Sequence, residues 1–481
     1  MKVLHLSAEC YPAAKVGGLA DVVGSLPNYL NEIGIESHVI LPKYGTKWLD
    51  KQKFKIIYEQ AFPYNGQQQP FQILKCLSGE LNYPFFVVDM PGLFDREGVY
   101  ANAAGEFFTD ETERYIGYQH AVLQWVMNAN LSYDIFHCHD HHTGFIPFML
   151  NHVYDYKPLN NPPTVLTIHN GIYQGVHPWS KAHLIGNYEA HLGSLLDWNN
   201  NMNALASAIR LSWKLTSVSP GYLEGLRTNG GGLEWLYNTE IAKSQGILNG
   251  IDYDTWNPNQ DPMLDFNLKR SYKNFKIENK KSLCAAYDID PTDQLFVFIG
   301  RLVTQKGADF IPAAISELIE SYDNASFLLL GTGEKNVEYL FDQAAKKNPD
   351  KVKVVLSYDE ALAHKMYASS DFLLMPSRVE PCGLNQMFAM HYGSIPIVHA
   401  VGGLKDTVTD VDEQEDGNGF RFYDLNSASL AETMKRAMEF AKNVERKINL
   451  IEENMKADFS WENSAQLYKD VYLSLINQNP L

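Results

Sequence analysis

The sequence lacks several features that would place it in a special class of protein. Its five cysteines are odd in number, scattered and without a C-x-x-C pair, which fits free thiols in a reducing compartment. No run of about 18 apolar residues is present, so we expect no membrane-spanning helix. The opening stretch MKVLHLSAECYPAAK has neither the basic end nor the long apolar stretch of a signal peptide. These absences predict a cytoplasmic protein.

An excess of basic residues is also absent. The chain has 40 Lys and Arg against 57 Asp and Glu, a net charge of −17, which would repel nucleic acid and anionic lipid. We therefore expect no nucleic acid or membrane partner, and no obligate protein partner is evident. Because the chain as a whole is acidic, any phosphate-binding site must depend on a local group of basic residues. A chain of 481 residues is too long to form a single hydrophobic core, so we expect two large domains. Its composition is that of an ordinary globular protein.

Short apolar runs alternate with longer amphipathic segments in two series. The first contains KVLHLSA, HVILP, FFVVDM, DIFHCH and TVLTIHN; the second contains LFVFIG, SFLLLG, KVKVVLS, DFLLMPS and IPIVHA. This alternation predicts an α/β fold with two Rossmann-like, doubly wound domains. Between the series, 246–262 is rich in Gly, Asn, Asp and Pro, and a Lys-rich segment follows to about Lys281. We interpret both as a linker, with the second sheet beginning near Leu295.

The predicted domain bounds are 1–248 for the first domain and 249–458 for the second. The end of the chain, 459–481, predicts an amphipathic helix that packs back on the first domain. In open α/β sheets, ligands bind beyond the carboxyl ends of the strands. The unusual residues of this chain follow those ends, and a cleft between two facing domains would gather them.

The stretch KVGGLADV places Lys15, Gly17 and Gly18 between a strand and a helix. Glycines let a ligand approach the main chain, and unpaired N–H groups at a helix start favour an anion. A phosphate beside Lys15 is one interpretation. A tight turn with a surface lysine is the other.

Two further segments have the chemistry of a sugar-phosphate site. In GRLVTQKG, Arg301 and Lys306 could converge on a diphosphate, although such pairs are often solvated surface charges. In EPCGL, Glu380 precedes a turn that predicts a helix from about Gly383, so a carboxylate and N–H groups could hold sugar hydroxyls. Glu380 could instead stabilise the helix start. Cys382 is expected to be a partly activated thiol.

Histidines are concentrated in HCHDHH, residues 137–142, at the end of a strand. Alternating imidazoles there could bind a metal, but no partner cluster has ligand spacing, and polar residues lining a cleft are the favoured interpretation. His169 lies at another strand end, before Asn170-Gly171, where it is either a core histidine or a site residue. GTGE is a weak Gly-rich turn, and Tyr358 beyond it could stack on a nucleotide.

These motifs, in this order, resemble those of bacterial glycogen synthases and plant starch synthases. KVGGLADVVGSLP, HCHDHHTG, TIHNGIYQG, GILNGIDYDTWNP, GRLVTQKG, SRVEPCGLNQM and GGLKDTV span nearly the whole chain. The resemblance implies a glycosyltransferase B (GT-B) fold, ADP-glucose as donor and an α-1,4-glucan such as glycogen as acceptor. It also implies retention of anomeric configuration, with no metal and no cofactor.

The resemblance also implies roles for residues that match the family motifs. The catalytic set is His169, Arg301, Lys306 and Glu380; the donor-binding set is Lys15, Gly17, Gly18, Tyr358, Cys382, Gly383 and Leu384; the acceptor or sugar-side set is Asp21, Asp140, His142 and Asn249.

The chain departs from the family pattern at two of these segments. His141 stands where bacterial relatives carry Trp, and Asn385 where they commonly carry Thr. Three alternatives stay open: a retaining transferase of the same fold that uses UDP-glucose, a catalytically silent glucan-binding protein, and a phosphorylase, which would need pyridoxal phosphate.

Overall fold

The computed structural model describes residues 1–102 and 105–476. Contacts divide the chain into two compact units. Unit 1 comprises 1–218, 223–249 and the segment that begins at Trp461, and unit 2 comprises 219–222 and 250–460. Among the described residues, no helix is both long and apolar enough to cross a membrane.

Unit 1 is built on a nine-stranded sheet and carries a small three-stranded sheet. Its strands are β1 (Lys2–Leu6), β2 (Glu36–Pro42), β3 (Phe54–Tyr64), β4 (Gln67–Cys76), β5 (Phe85–Asp89), β6 (Ile135–His139), β7 (Thr164–Ile168), β8 (Val176–His177), β9 (Asp197–Trp198), β10 (Asn201–Asn203), β11 (Lys214–Ser217) and β12 (Ser244–Gly246). The large sheet has the order β12-β11-β7-β6-β1-β2-β5-β4-β3. Strands β12 to β5 in that order are parallel, and β4 and β3 form an antiparallel hairpin at its edge.

The helices of the first half of the chain are α1 (Gly18–Glu32), α2 (Lys47–Lys51), α3 (Glu111–Asn128), α4 (Ile146–His152), α5 (Ala204–Leu211), α6 (Pro220–Thr228) and α7 (Glu234–Thr239).

Unit 2 has a six-stranded parallel sheet. Its strands are β13 (Gln294–Ile299), β14 (Ala325–Leu330), β15 (Val352–Val355), β16 (Phe372–Met375), β17 (Ile395–His399) and β18 (Phe420–Phe422). Its helices are α8 (Tyr272–Tyr287), α9 (Ile311–Ser321), α10 (Lys335–Lys347), α11 (Glu360–Ser369), α12 (Asn385–His391), α13 (Gly402–Thr407), α14 (Ser427–Ala441) and α15 (Val444–Lys456). The order β15-β14-β13-β16-β17-β18 reverses direction at β13, which is the doubly wound arrangement with a ligand-binding switch point there.

The last helix, α16 (Trp461–Ile476), returns to unit 1. Its buried Trp461, Tyr468 and Tyr472 join one apolar cluster with Leu26 and Leu30 of α1. These side chains recur on one face of each helix, so burying them removes a continuous apolar stripe from water. The predicted return of the terminal helix to the first domain is confirmed.

The apolar runs recognised in the sequence form strands in both sheets, as predicted. Several elements were missed, among them the three-stranded sheet, a hairpin and a helix. The hairpin β3–β4 was not predicted, because most of β3 is exposed and shows no apolar alternation. The assignment of the Lys-rich segment to the linker is wrong from Tyr272 onward, because α8 begins there. This helix buries only Phe275, Asn279, Leu283 and Cys284.

Candidate active site

Two loops meet at the carboxyl edge of the sheet in unit 2, one after β13 and one after β16. Lys306 Nζ lies 2.5 Å from Glu380 Oε2, and the Ser377 hydroxyl donates to the same oxygen at 2.9 Å. The Glu380 residue is only 5% exposed, whereas 27% of the Lys306 side chain is accessible. The structure therefore brings two of the predicted catalytic residues into contact.

Both groups keep capacity for a ligand. An ammonium has three N–H donors, and the contact with Glu380 uses one of those on Lys306. Neither hydrogen bond reaches Glu380 Oε1, which accepts none from a residue that the structure describes. Arg301 is exposed and makes no ion pair within the described part of the chain. Two cations and one carboxylate thus stand at the switch point of the sheet.

Gly307 fixes the approach of the two loops. Its φ of +65° lies in the left-handed region, and an added Cβ would come 1.9 Å from the Pro376 carbonyl oxygen. Two further contacts join the same loops: the Arg378 N–H donates to the Gln305 carbonyl at 2.9 Å, and the Arg378 guanidinium pairs with Asp309. The position of Lys306 is therefore set by backbone geometry next to it.

We expect Gly307→Ala to lower kcat/KM of the activity that the family resemblance implies by roughly 10- to 10²-fold, because the Cβ must push the Lys306 loop off the Pro376 carbonyl. Gly34→Ala is the matched control, since Gly34 also has positive φ (+85°) but nothing lies within 4 Å of its added Cβ. Steady-state kinetics on both variants test this; equal activity of the two would contradict it.

The segment VGGLKD, residues 401–406, packs against the backbone of the loop that carries Glu380. Gly402, with φ +49°, would place a Cβ 2.0 Å from the Glu380 carbonyl oxygen, and the Gly403 N–H donates to that oxygen at 3.1 Å. The Gln386 amide donates to the Gly383 carbonyl at 2.9 Å and to Thr407 Oγ1 at 3.1 Å. Because Gly402 and Gly403 have no side chains, their backbone can pack directly against the backbone of the Glu380 loop.

The turn EPCGL differs from its prediction in two respects. The helix begins at Asn385, not at about Gly383, so Gly383 and Leu384 lie in the turn before it. Cys382 is only 4% exposed, so a bulky alkylating reagent has little access to the thiol that the sequence analysis expects to be partly activated. Asn385 itself ties the turn to the sheet, because its amide donates to the Ile299 carbonyl at the end of β13 at 2.7 Å.

The GTGE turn supports the Lys306 loop. The Glu334 carboxylate accepts from the Thr304 N–H at 3.2 Å and from the Thr304 hydroxyl at 3.0 Å. Tyr358 follows β15 and is 81% exposed. Its ring therefore presents an accessible face.

In unit 1, the KVGG loop folds over a buried carboxylate that the sequence analysis missed. Glu9 Oε2 accepts from the Val16 N–H at 2.6 Å and from the Gly17 N–H at 2.8 Å. Burial raises the pKa of Glu9, and these hydrogen bonds oppose that rise. The Gly17 N–H is thus occupied in this structure. Lys15, which pairs with Asp21 at 2.7 Å, and Gly18 at the start of α1 are the remaining groups predicted for a phosphate.

Tyr100 joins the KVGG loop to the HCHDHH segment. Its hydroxyl donates to Glu9 Oε1 at 2.7 Å, and its ring stacks on His142 with centroids 4.9 Å apart. Burial and the nearby charge of His141 lower the pKa of His142 well below its ordinary range. His142 is therefore a neutral ring in a fixed position, held by a tyrosine far away in sequence.

Asp140 joins the HCHDHH segment to the loop after β7. Its Oδ1 accepts from the His169 N–H at 2.7 Å and from the Asn170 N–H at 3.4 Å. The backbone of Asp140 has φ +56° and ψ −175°, a conformation that costs of order 1–3 kcal/mol for a residue other than glycine. Burial raises the pKa of this carboxyl to about 7. A strained, buried acid is typical of a functional site.

We expect Asp140→Asn to stabilise the protein increasingly as pH rises. Because the pKa of Asp140 is about 7 in the folded state against an ordinary 3.8, the folded state holds a proton that the unfolded chain has released, and stability falls across that window. Asparagine keeps the acceptor oxygen, tolerates positive φ and does not titrate.

Urea unfolding of parent and variant at about pH 5.5 and about pH 8 measures this effect. The variant should gain on the order of 1–3 kcal/mol relative to the parent between the two conditions. Asp134→Asn, at an exposed position of the same unit, is the control. A relative gain for Asp140→Asn that does not grow with pH would contradict the raised pKa.

Two groups of candidate metal ligands lie in unit 1. The first is His5, His137 and His139, and the second is Glu111, His141 and His142; in each group the ligand atoms lie within 4.8 Å of one another. However, the rings of His137 and His139 stack with centroids 4.2 Å apart, and those of His141 and His142 lie 3.7 Å apart. Nitrogen lone pairs lie in the ring plane, so overlapping rings do not aim them at one ion. These residues fit a metal poorly.

Asn249 lies apart from these networks. It is 7% exposed, and its Oδ1 is buried without a hydrogen-bond partner among the described residues. A buried acceptor without a hydrogen-bond partner is unusual, and it can accept a hydrogen bond from a hydroxyl group of a ligand. No contact joins Asn249 to the other predicted sugar-side residues within the described part of the chain.

Comparisons with known proteins agree along the whole chain. Residues 2–239 match the family described as "Starch synthase catalytic domain", and residues 279–454 match "Glycosyl transferases group 1". The glycogen synthase of Flavobacterium johnsoniae is 41% identical over 99% of this chain and 100% of its own length. That of Thermodesulfovibrio yellowstonii is 36% identical over 99% of this chain and 98% of its own.

Solved structures give the same result. The catalytic domain of starch synthase IV from Arabidopsis thaliana, described as bound to ADP and acarbose, is 32% identical and superposes with a TM-score of 0.88 over 99% of both chains. Sucrose-phosphate synthase from Thermosynechococcus elongatus shares the fold at 16% identity, with a TM-score of 0.62 over 99% of both chains. The predicted fold class, α/β with two Rossmann-like domains of the GT-B type, is confirmed.

Proposed function

Since this chain belongs to the glycogen and starch synthase family, we propose that it transfers glucose from ADP-glucose to the non-reducing end of an α-1,4-glucan with retention of configuration. The observation that carries the proposal is the contact between Lys306 and Glu380 at the switch point of unit 2, where the exposed Arg301 follows the same strand as Lys306. ADP as the nucleotide is supported by the Arabidopsis relative, which is described with ADP and acarbose bound.

The chemistry asks for charges of both signs. As the bond between glucose C1 and the ADP oxygen breaks, negative charge grows on the phosphate and positive, oxocarbenium-like charge grows on the sugar. We assign Arg301 and the two free N–H donors of Lys306 to the phosphate. Glu380, whose Oε1 is open, and His169 are assigned to the sugar.

The remaining assignments follow the two units. In unit 2, Tyr358 would stack on the base, and the Cys382-Gly383-Leu384 backbone would contact glucose and the distal phosphate. In unit 1, Lys15 and the Gly18 backbone would serve the phosphates, and Gly17, whose N–H is occupied by Glu9, would let them approach the main chain because it has no side chain. The acceptor or sugar-side residues of unit 1 would be Asp21, Asp140, His142 and Asn249.

Retention requires the new bond to form on the face from which ADP leaves. We propose departure and attack on that one face, in which the leaving phosphate, held by Lys306 and Arg301, accepts the proton of the attacking hydroxyl. The reaction needs no metal and no cofactor, because these cations supply the charge that a metal would otherwise provide. The structure describes all five cysteines and joins none of them by a disulfide, which fits a cytoplasmic location.

Product analysis tests this reaction. The protein is incubated with ADP-glucose and a short maltooligosaccharide, and NMR follows ADP release and the anomeric signal of the new linkage. We expect one ADP for each new α-1,4-linked glucose at the non-reducing end. A β linkage would overturn retention, and free glucose without chain growth would overturn the synthase assignment.

A further inference from the structure

Three imidazoles form a hydrogen-bonded chain that ends at His169. His169 Nε2 lies 3.0 Å from His139 Nδ1, and the other nitrogen of that ring, His139 Nε2, lies 3.2 Å from His5 Nδ1. His5 and His139 are fully buried, and His169 is 7% exposed. At the far end, His5 Nε2 is buried without a partner among the described residues.

Each ring of this chain is neutral. Burial lowers the pKa of His5 and of His169 to about 3, and burial together with the neighbouring histidines holds the pKa of His139 well below its ordinary range. A neutral imidazole carries one proton on one of its two nitrogens. Each N···N contact needs one proton between its two atoms.

These two conditions leave two arrangements of protons. In the first, His5 and His139 each donate from Nδ1 toward His169, whose Nε2 accepts and whose Nδ1 then carries the proton. In the second, His169 and His139 each donate from Nε2 toward His5, and His169 Nδ1 is bare. A mixed arrangement breaks one of the contacts. The proton position on His169 is therefore coupled to that on His5, two contacts away.

His5 Nε2, the end of the imidazole chain that has no partner among the described residues, decides between the two proton arrangements. In the second arrangement, His5 Nε2 carries a buried N–H with no acceptor, whereas in the first it is a bare acceptor. Buried orphan N–H groups are rarer in proteins than under-satisfied acceptors. The first arrangement, with the proton on His169 Nδ1, is favoured.

We propose that His5 and His139 are positioning residues that hold His169 as the Nδ1–H tautomer, so that its ring presents a hydrogen-bond donor to a sugar oxygen. This role rests on the proposed function, in which His169 serves the sugar. It assigns a task to the buried part of HCHDHH other than metal binding. His137 is not part of this hydrogen-bonded chain of imidazoles, because its ring nitrogens contact the Tyr472 hydroxyl at 2.7 Å and Thr167 Oγ1 at 2.6 Å.

NMR of the full chain labelled with ¹⁵N-histidine measures the tautomer without any assay, because protonated and bare ring nitrogens differ widely in chemical shift. Loss of a signal in His169→Gln assigns His169. We expect Nδ1 of His169 to be protonated in the parent. His139→Leu and His5→Leu should each release this preference, and His139→Asn, which keeps a donor toward His169, should retain it. His137→Asn is the control within the same cluster and should leave the signal unchanged.

Transfer kinetics add a second measure. Loss of one positioning hydrogen bond should lower kcat/KM roughly 3- to 10-fold in His139→Leu, with recovery in His139→Asn. Protonation of Nε2 in the parent, or an unchanged Nδ1–H signal in both leucine variants, would overturn the proposal while leaving the synthase assignment intact. The expected spectra in a protein that transfers no glucose would instead overturn the proposed function alone.

Discussion

Replacing Lys306 with alanine is expected to lower kcat by about 10²- to 10³-fold, on the order of 2.7 to 4 kcal/mol of transition-state stabilisation. The ammonium stands at the switch point of the unit 2 sheet, where the negative charge of the leaving phosphate would develop, and alanine leaves only Arg301 to offset that charge. Affinity for ADP-glucose should fall less than kcat, because the oxygen of the bond that breaks carries less negative charge in the bound sugar diphosphate than in the transition state. Steady-state kinetics, and titration calorimetry with ADP-glucose in the absence of acceptor, separate the two effects.

The same sheet offers a matched control at its opposite edge. Lys351 pairs with Asp293 at 2.7 Å, and the Ser326 hydroxyl donates to the same carboxylate oxygen at 2.6 Å. Side-chain exposure is 28% for Lys351 and 6% for Asp293, close to the 27% and 7% of Lys306 and Glu380. Lys351→Ala should therefore lose similar stability but keep kcat within about twofold. A Lys306→Ala variant that also keeps kcat within about threefold would show that GRLVTQKG is only a charged loop.

Glu380→Gln is the second large effect, with kcat expected to fall by about 10²- to 10³-fold. The substitution keeps the shape and an acceptor for Ser377 and Lys306, so the loop stays in place. It removes the negative charge that faces the oxocarbenium-like sugar. The loss should therefore appear in kcat, with little change in the affinity for ADP.

Asp293→Asn makes the corresponding change in the control pair and should leave kcat near that of the parent. Thermal unfolding of both variants checks that each remains folded. If Glu380→Gln retained most of its kcat, the carboxylate would be a structural partner of Lys306 and not a group that serves the sugar.

Much of the fold could be predicted from the sequence, because buried parallel strands are continuous apolar runs. DIFHCH and LFVFIG show this pattern, and their carboxyl ends located the candidate residues. Strand β3 of the edge hairpin is mostly exposed, and its partner β4 is buried only at alternate positions along much of its length, so neither is a continuous apolar run. Helix α8 was missed because its apolar stripe is narrow, so its lysines resembled a solvated linker.

The groups that hold the site could not be predicted. Glu9 reaches the Gly17 N–H across eight residues, and Tyr100 reaches Glu9 across 91, and no local pattern reports contacts of this kind. Ser377 and Gln386 lie inside the recognised motif SRVEPCGLNQM, but their roles depend on where the backbone turns. The sequence therefore indicated the candidate residues, and tertiary contacts determine which of their hydrogen-bond donors remain available to a ligand.

The most direct test of the central claim is the transfer of radiolabelled glucose to a glycogen primer from ADP-glucose and from UDP-glucose, measured in parallel. Our account predicts label in glycogen from ADP-glucose, at a rate well above that from UDP-glucose. Preference for UDP-glucose would contradict the proposed donor, and absence of incorporation from either donor would contradict glucan synthesis by this chain.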